Sequence, residues 1–364
     1  MAVETSENYK IEQFTLEEKD FGRFVELITA AFLADEAAQQ EGATIVFNEP
    51  TFRIMFGAPS INRELFVRAI YKPTNEIVGF LGTINKNLSI DGKVYKSAIP
   101  SWLCVHPKHQ KQGLAKTMGE KMLELGQQAG YEAGFSFHEP EQHGIDTSQS
   151  VARETNIPLM RLVSLNKYVI RIFDTEAAAQ VVKVKWYEKL VFKLKEKIKP
   201  VHSPVFRLYQ PDDFEEIFNL TKELVARADI SIIPEKEVLK WMLGNPNVLC
   251  VIHENTDGQV DGYILAWEFL LAGFGKKIPF GWLDSAHVYK LRKKEIRDLA
   301  NFLSQEAVKR GWKGLQTPYI PYFNAKPFVK ANFIFFKKKL GIDLFNWSGI
   351  ELPKKAKTMY FYWR

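Results

Sequence analysis

Trp102-Leu103-Cys104-Val105-His106-Pro107-Lys108-His109-Gln110-Lys111-Gln112-Gly113-Leu114-Ala115-Lys116 joins an apolar run to an amphipathic one through a short basic loop. The run from Trp102 to Val105 has the composition of a strand, and Pro107 ends it. Leu114, Met118, Met122 and Leu125 then recur at three- and four-residue spacing, the period of a helix. The stretch therefore reads as strand, tight loop, helix N-terminus. A helix start exposes unpaired backbone N–H groups at the positive end of the dipole, where a phosphate can bind. Gly113 and Ala115 keep side chains away from that backbone, and Lys111 and Lys116 add positive charge. An ordinary turn with a small residue for packing would use the same residues. The strand before and the amphipathic helix after favour the anion site.

The 364 residues suggest two or three domains of ordinary size. Hydrophobic content of 46% with 25% charged residues marks a packed globular chain rather than a disordered one. The net charge of +6 suits a polyanionic small molecule or a membrane surface and does not call for nucleic acid. Cys104 and Cys250 both lie in apolar runs, so no disulfide framework is expected and a reducing compartment is. Residues 1–9 are polar and lack the apolar core of a secretory signal, and no apolar stretch reaches transmembrane length. A soluble cytoplasmic protein is expected.

Working outward, residues 9–14 read as a strand, and Phe24, Leu27, Ile28, Ala31 and Phe32 as a helix face. Residues 65–71 and 77–84 form a hairpin across a Pro73-Thr74-Asn75 turn, and Asp91-Gly92 leads into the strand that ends at Val105. Residues 133–138 read as a further strand, residues 158–168 as partly helical and residues 168–173 as a strand. The second half repeats this order: strand 206–209, a helix around Phe214, the hairpin 248–265 and a strand near Gly281 to Val288. A helix through Ile296 to Val308, a strand at 314–317, a helix near Phe328 and a last strand at 359–363 follow. Where the first copy has its glycine loop, the second has Val288-Tyr289-Lys290-Leu291-Arg292-Lys293-Lys294-Glu295, which gives a phosphate no bare backbone. One anion site, in the first half, is expected. Between the copies, Val182, Trp186, Leu190, Leu194 and Ile198 recur every four residues within 176–199 among seven lysines. A basic amphipathic helix can lie weakly on an anionic membrane; the commoner arrangement, expected here, packs the stripe on the body of the protein.

The Gln110-x-x-Gly113-x-Ala115 loop after a strand resembles the acyl-CoA pyrophosphate loop of the GNAT acyltransferases. The duplicated order, with Leu103-Cys104-Val105-His106 and Asn324-Ala325-Lys326-Pro327-Phe328, resembles the N-myristoyltransferase fold of two fused GNAT units. The resemblance implies an α/β fold, a mixed sheet with flanking helices, in two tandem GNAT-like domains. These would span 1–174, with the acyl-CoA site, and 201–364, without a phosphate loop, joined by a basic connecting helix at 175–200. It also implies transfer of an acyl group, most simply acetyl, from a CoA thioester to the amine of a small molecule or peptide. Donor contacts would come from Leu103, Cys104 and Val105 along the pantetheine arm, and from Gln110, Lys111, Gln112, Gly113, Leu114, Ala115 and Lys116 around the diphosphate. The N–H groups of Trp102 and Leu103 would form the oxyanion hole, freed by a bulge at 100–102.

Two departures from the myristoyltransferase pattern stand out. The loop holds Gly113, where that family's is basic and glycine-poor. The sequence also stops at Arg364 directly after its last strand, without the tail whose carboxylate serves that family as base. The base must come from elsewhere. Glu139 is the first choice, with His138 and His106 as alternatives and Tyr168 as a candidate acid. A long-chain acyl donor and a non-catalytic acyl-CoA-binding protein are the rival readings. No metal is expected: His138-Glu139-Pro140-Glu141-Gln142-His143 has the wrong spacing for a zinc helix, and Pro140 would break one. No nucleophile elbow and no Walker loop occur.

Overall fold

The computed structural model describes residues 7–139, 144–353 and 356–362. Residues 140–143, part of the stretch judged unsuited to zinc, and Trp363 and Arg364, at the end of the expected last strand, lie outside the described residues. In chain order the strands are β1 (Tyr9–Phe14), β2 (Thr44–Val46), β3 (Phe66–Tyr71), β4 (Glu76–Ile90), β5 (Lys93–Val105), β6 (Ala133–His138), β7 (Leu159–Ile172), β8 (Phe206–Leu208), β9 (Ile230–Ile233), β10 (Val248–Glu254), β11 (Val260–Gly273), β12 (Lys276–His287), β13 (Gly314–Pro318), β14 (Ile334–Phe345) and β15 (Met359–Tyr360). The helices are α1 (Phe21–Leu33), α2 (Glu36–Glu41), α3 (Glu49–Phe56), α4 (Leu114–Gln128), α5 (Gly144–Thr155), α6 (Thr175–Ala178), α7 (Trp186–Lys195), α8 (Phe214–Val225), α9 (Lys236–Leu243), α10 (Lys293–Lys309) and α11 (Lys326–Lys330).

The chain divides into two compact units, neither continuous in sequence. The first holds Met1–Gln39, Val46–Ser164 and Lys339–Lys354; the second holds Gln40–Ile45, Leu165–Lys338 and Lys355–Arg364. The first unit's sheet runs β1-β3-β4-β5-β6 and then the end of β14. Its neighbours are antiparallel except β5 and β6, whose parallel register comprises Ser97 with Ala133 and Ala98 with Gly134. Past that point the two strands take different partners. β5 continues to Val105 against β4, while residues 134–138 of β6 pair with residues 341–345 of β14.

Alternation along the strands sorts the first unit's core onto two faces. Phe66 and Phe80 pack with Phe14, Phe24, Phe52 and Phe56, from β1, α1 and α3, in a cluster of rings that are almost fully buried. Their neighbours Val67 and Leu81 face the other way, onto Leu114, Met118, Met122 and Leu125 of α4. The spacing that marked α4 as a helix is thus the row it buries. Gly79 allows this approach: a Cβ there would stand 2.9 Å from the Met118 methyl. Gly119, on α4, does the same for α5, since its Cβ would stand 2.8 Å from Val151.

The second unit repeats the plan. Its sheet runs β8-β10-β11-β12-β13, with β12 and β13 parallel, and ends on β7; β9 and β15, off this run, also pair in parallel. β7 and β14 hold corresponding places in the two copies, and each passes from one unit to the other: residues 165–172 of β7 belong to the second unit and residues 339–345 of β14 to the first. The units therefore change over inside β7 rather than after residue 174.

Three expectations are corrected. Residues 159–172 form one strand, and the part read as helical is not, because tertiary pairing such as Tyr168 with Pro318 overrides weak local preference. β14 was not expected at all. Residues 176–199 do not form one helix; α6 and α7 are separate, and Trp186, Leu190 and Leu194 of the stripe are 75%, 56% and 81% exposed. Phe192, off the stripe, is the residue α7 buries.

Candidate functional site

The strand–loop–helix stretch lies in the first unit. Along β5 the register with β4 steps from Ser101–Gly82 to Cys104–Phe80, so Trp102 and Leu103 together face Leu81. This is a β-bulge, one residue further on than the expected 100–102, and it takes the N–H groups of Trp102 and Leu103 out of the regular ladder. Trp102 has φ of 62°, in the left-handed region that a bulky side chain rarely enters. Its indole is held against Phe47 and Phe32, with ring centroids 4.3 and 5.6 Å apart. Strain of this kind persists where packing over-determines it. Leu103 is half-buried, and Cys104 and Val105 are buried. Burial pushes the Cys104 thiol up to about 12, so it stays protonated and inert.

Past Val105 the chain turns through Pro107–His109. His106 N–H donates to Val78 O at 2.7 Å, and the His106 ring accepts from Lys108 N–H at 3.3 Å. That ties His106 to the turn itself. Tyr9 Oη bonds His109 Nδ1 at 3.0 Å, and Gln110 Nε2 donates to Val105 O at 3.4 Å. Lys111 and Gly113 take φ of 60° and 74°, and α4 begins with Gly113 as N-cap and no side-chain cap. Thr117 N–H donates to Gly113 O at 3.1 Å, so the N–H groups before it, from Leu114 to Lys116, are those a helix start leaves over. Lys111 and Gln112 are exposed, and Gly113, Ala115 and Lys116 are half-buried. The Lys116 ammonium turns to Glu154 at 3.1 Å and Glu120 at 3.6 Å. It contributes backbone here, while its charge is matched by carboxylates. In the second unit α10 starts differently: the Glu295 carboxylate accepts from Arg292 N–H at 2.8 Å and fills the place an anion would take.

At the carboxyl end of β6, next to β5, His138 is buried and bonded at both ring nitrogens. Nδ1 meets Asp343 Oδ2 at 3.0 Å, and Nε2 meets Ser148 Oγ at 2.9 Å. Asp343 Oδ1 also accepts from Arg161 Nε at 2.5 Å. Burial works to raise the Asp343 carboxyl, but the bonds from His138 and Arg161 prevail and hold it below the usual carboxylate range. Asp343 thus fixes the ring, and Nε2 faces a half-buried hydroxyl on α5. Val151 and Glu154 of the same helix lie against Gly119 and Lys116 of α4, which brings this array beside the helix whose start is bare. Glu139 follows at the strand end, half-buried. Tyr168 is 2% exposed and belongs to the second unit. Sequence reasoning missed Asp343, Ser148 and Arg161. Asp343 stands 205 positions from His138 in a strand that was not expected, and no local pattern marked it.

Residues 14–138 match the family described as acetyltransferase (GNAT) domain. The first unit carries a GNAT acyltransferase domain. No curated protein matches the chain. Among solved structures, Saccharomyces cerevisiae N-myristoyltransferase with bound myristoyl-CoA superposes with a TM-score of 0.76, at 13% identity, over 93% of this chain and 83% of its own. A conserved protein of unknown function from Enterococcus faecalis V583, termed a probable N-acyltransferase, gives 0.51 at 11% identity over 92% and 72%. At such identities the likeness is one of fold. The mixed α/β fold of this chain is like that of N-myristoyltransferase.

Proposed function

We propose that this GNAT protein transfers an acyl group from acyl-CoA to an amine, with the donor held by the first unit. The observation that carries this is an alignment along one path. The bulge at Trp102 and Leu103, the β5 edge freed where β5 and β6 part, and the uncapped start of α4 follow one another in the chain. The CoA diphosphate sits on the N–H groups from Gly113 to Lys116, beside Lys111 and Gln112. The pantetheine arm pairs with Leu103, Cys104 and Val105 as an added strand. The thioester oxygen faces the N–H groups of Trp102 and Leu103, which stabilise the negative charge that develops on it.

The amine nitrogen attacks the thioester carbon, the C–S bond breaks, and CoA leaves as thiolate. The proton released as the C–N bond forms passes through Ser148 Oγ to His138 Nε2, which Asp343 orients from the other side. His138 replaces Glu139 as first choice because both its ring nitrogens have defined roles. The rings that support Trp102 also bear on the acyl group. Phe47, Phe52, Phe24 and Phe80 fill the space behind it at 0–2% exposure. Acetyl or another short acyl group suits such packing. A long-chain donor is the second reading, favoured by the likeness to N-myristoyltransferase across nearly the whole chain.

Titration calorimetry with acetyl-CoA, myristoyl-CoA and free CoA tests both. Gly113→Glu places a carboxylate at the anion site, and donor affinity should fall at least about a hundredfold, with the far-UV spectrum unchanged. Unchanged affinity would remove the donor site, and tighter binding of myristoyl-CoA than acetyl-CoA would select the second reading.

A further inference from the structure

Helix α7 wears its apolar residues outward. Trp186, Tyr187, Leu190, Val191 and Leu194 are 75%, 47%, 56%, 44% and 81% exposed. At ~100° per residue these five fall within one arc of ~140°. The opposite side, through Phe192, is buried in the second unit. The helix is also fixed at its end. The buried Arg171 guanidinium donates to the carbonyls of Lys195, Glu196 and Lys197 at 2.5, 2.9 and 3.2 Å. Asn332 Nδ2 adds a bond to Lys197 O at 2.8 Å. A cation on the last carbonyls of a helix complements its dipole. The arc is therefore presented by a firm anchor on the other side.

Charge surrounds this arc. Residues 183–199 hold seven lysines and two glutamates, a net of +5 out of +6 for the whole chain. Lys193, Lys197 and Lys199 are exposed. Ahead of α7, Lys276 Nζ donates to Gln180 Oε1 at 3.1 Å, and Phe274, 51% exposed, and the exposed Lys277 lie close to Lys276 in the chain. The helix has ten residues, half of what a span requires, and no helix among the described residues is long and apolar enough to cross a membrane. A second copy of this chain is a poor occupant, because two such faces would oppose like charges. Nucleic acid would leave the apolar arc unused.

We propose that this face lies on an anionic lipid bilayer, with Trp186, Leu190 and Leu194 sunk between headgroups and the lysines on lipid phosphates. This reading does not depend on the proposed transfer reaction. Co-sedimentation with phosphatidylcholine vesicles containing phosphatidylglycerol, and with phosphatidylcholine alone, tests it on the full chain. Binding is expected to the first kind and to weaken as salt rises. Leu190→Ser with Leu194→Ser, and separately Lys193→Glu with Lys197→Glu, should each weaken binding by at least about tenfold. The altered side chains are exposed, so circular dichroism should report an unchanged fold. Absence of binding, or equal binding by all variants, overturns the proposal. So does a dimer in sedimentation velocity that the serine pair dissolves, which would make a second copy the occupant.

Discussion

Asp343 shows how much one carboxylate can decide. It is 3% exposed, holds His138 in one ring orientation and takes a second bond from Arg161. Because its folded pKa is depressed, its stabilising contribution is present above the unfolded value of about 3.9 and is lost as pH falls through the lower folded value. Asp343→Asn should cost about 3 kcal/mol at neutral pH, read by urea unfolding, and the difference from wild type should shrink below about pH 4. In an acyl-transfer assay the same variant should lower kcat by about a hundredfold and leave donor affinity unchanged, as expected of a positioning residue. The sequence could suggest His138, because it sits at the end of a legible strand. Nothing near it in the chain pointed to the acid that orients it.

At the level of elements, legibility followed locality. The strand, loop and helix around Gly113 were readable because their signals are neighbours: an apolar run, a proline, a glycine and a row of four apolar residues. β14 was not readable, since its exposed part carries three lysines in a row and its buried part gains meaning against β6. The stripe on α7 was read with the right spacing and the wrong face, because periodicity identifies an amphipathic helix without saying what covers it. Packing between helices can be tested directly. Gly119→Leu should destabilise the protein by about 1–3 kcal/mol, because Val151 occupies the space its side chain would need. Adding Val151→Ala should recover part of that loss in the same unfolding measurement, as expected for residues in contact.

Across the whole chain the sequence revealed the duplication and hid the exchange. Two copies of one strand order are visible as a repeat of patterns, whereas the partners of β7 and β14 are settled by tertiary pairing. The expected division after residue 174 yields two fragments that would each lack a strand. Residues 1–174 and 175–364 expressed separately should fail to give cooperative unfolding, and their co-expression should give a complex with the unfolding profile of the intact chain. Independent, cooperatively folding halves would show that the exchange is dispensable.

The exchange also sets an order of events at the ribosome. The first unit's sheet must wait for β14, which emerges some 165 residues after residue 174, a delay of roughly 10–30 s at about 5–20 residues per second. During that interval the free edge of β6 is an invitation to wrong partners, so a nascent chain of this protein has reason to engage a chaperone before it is finished.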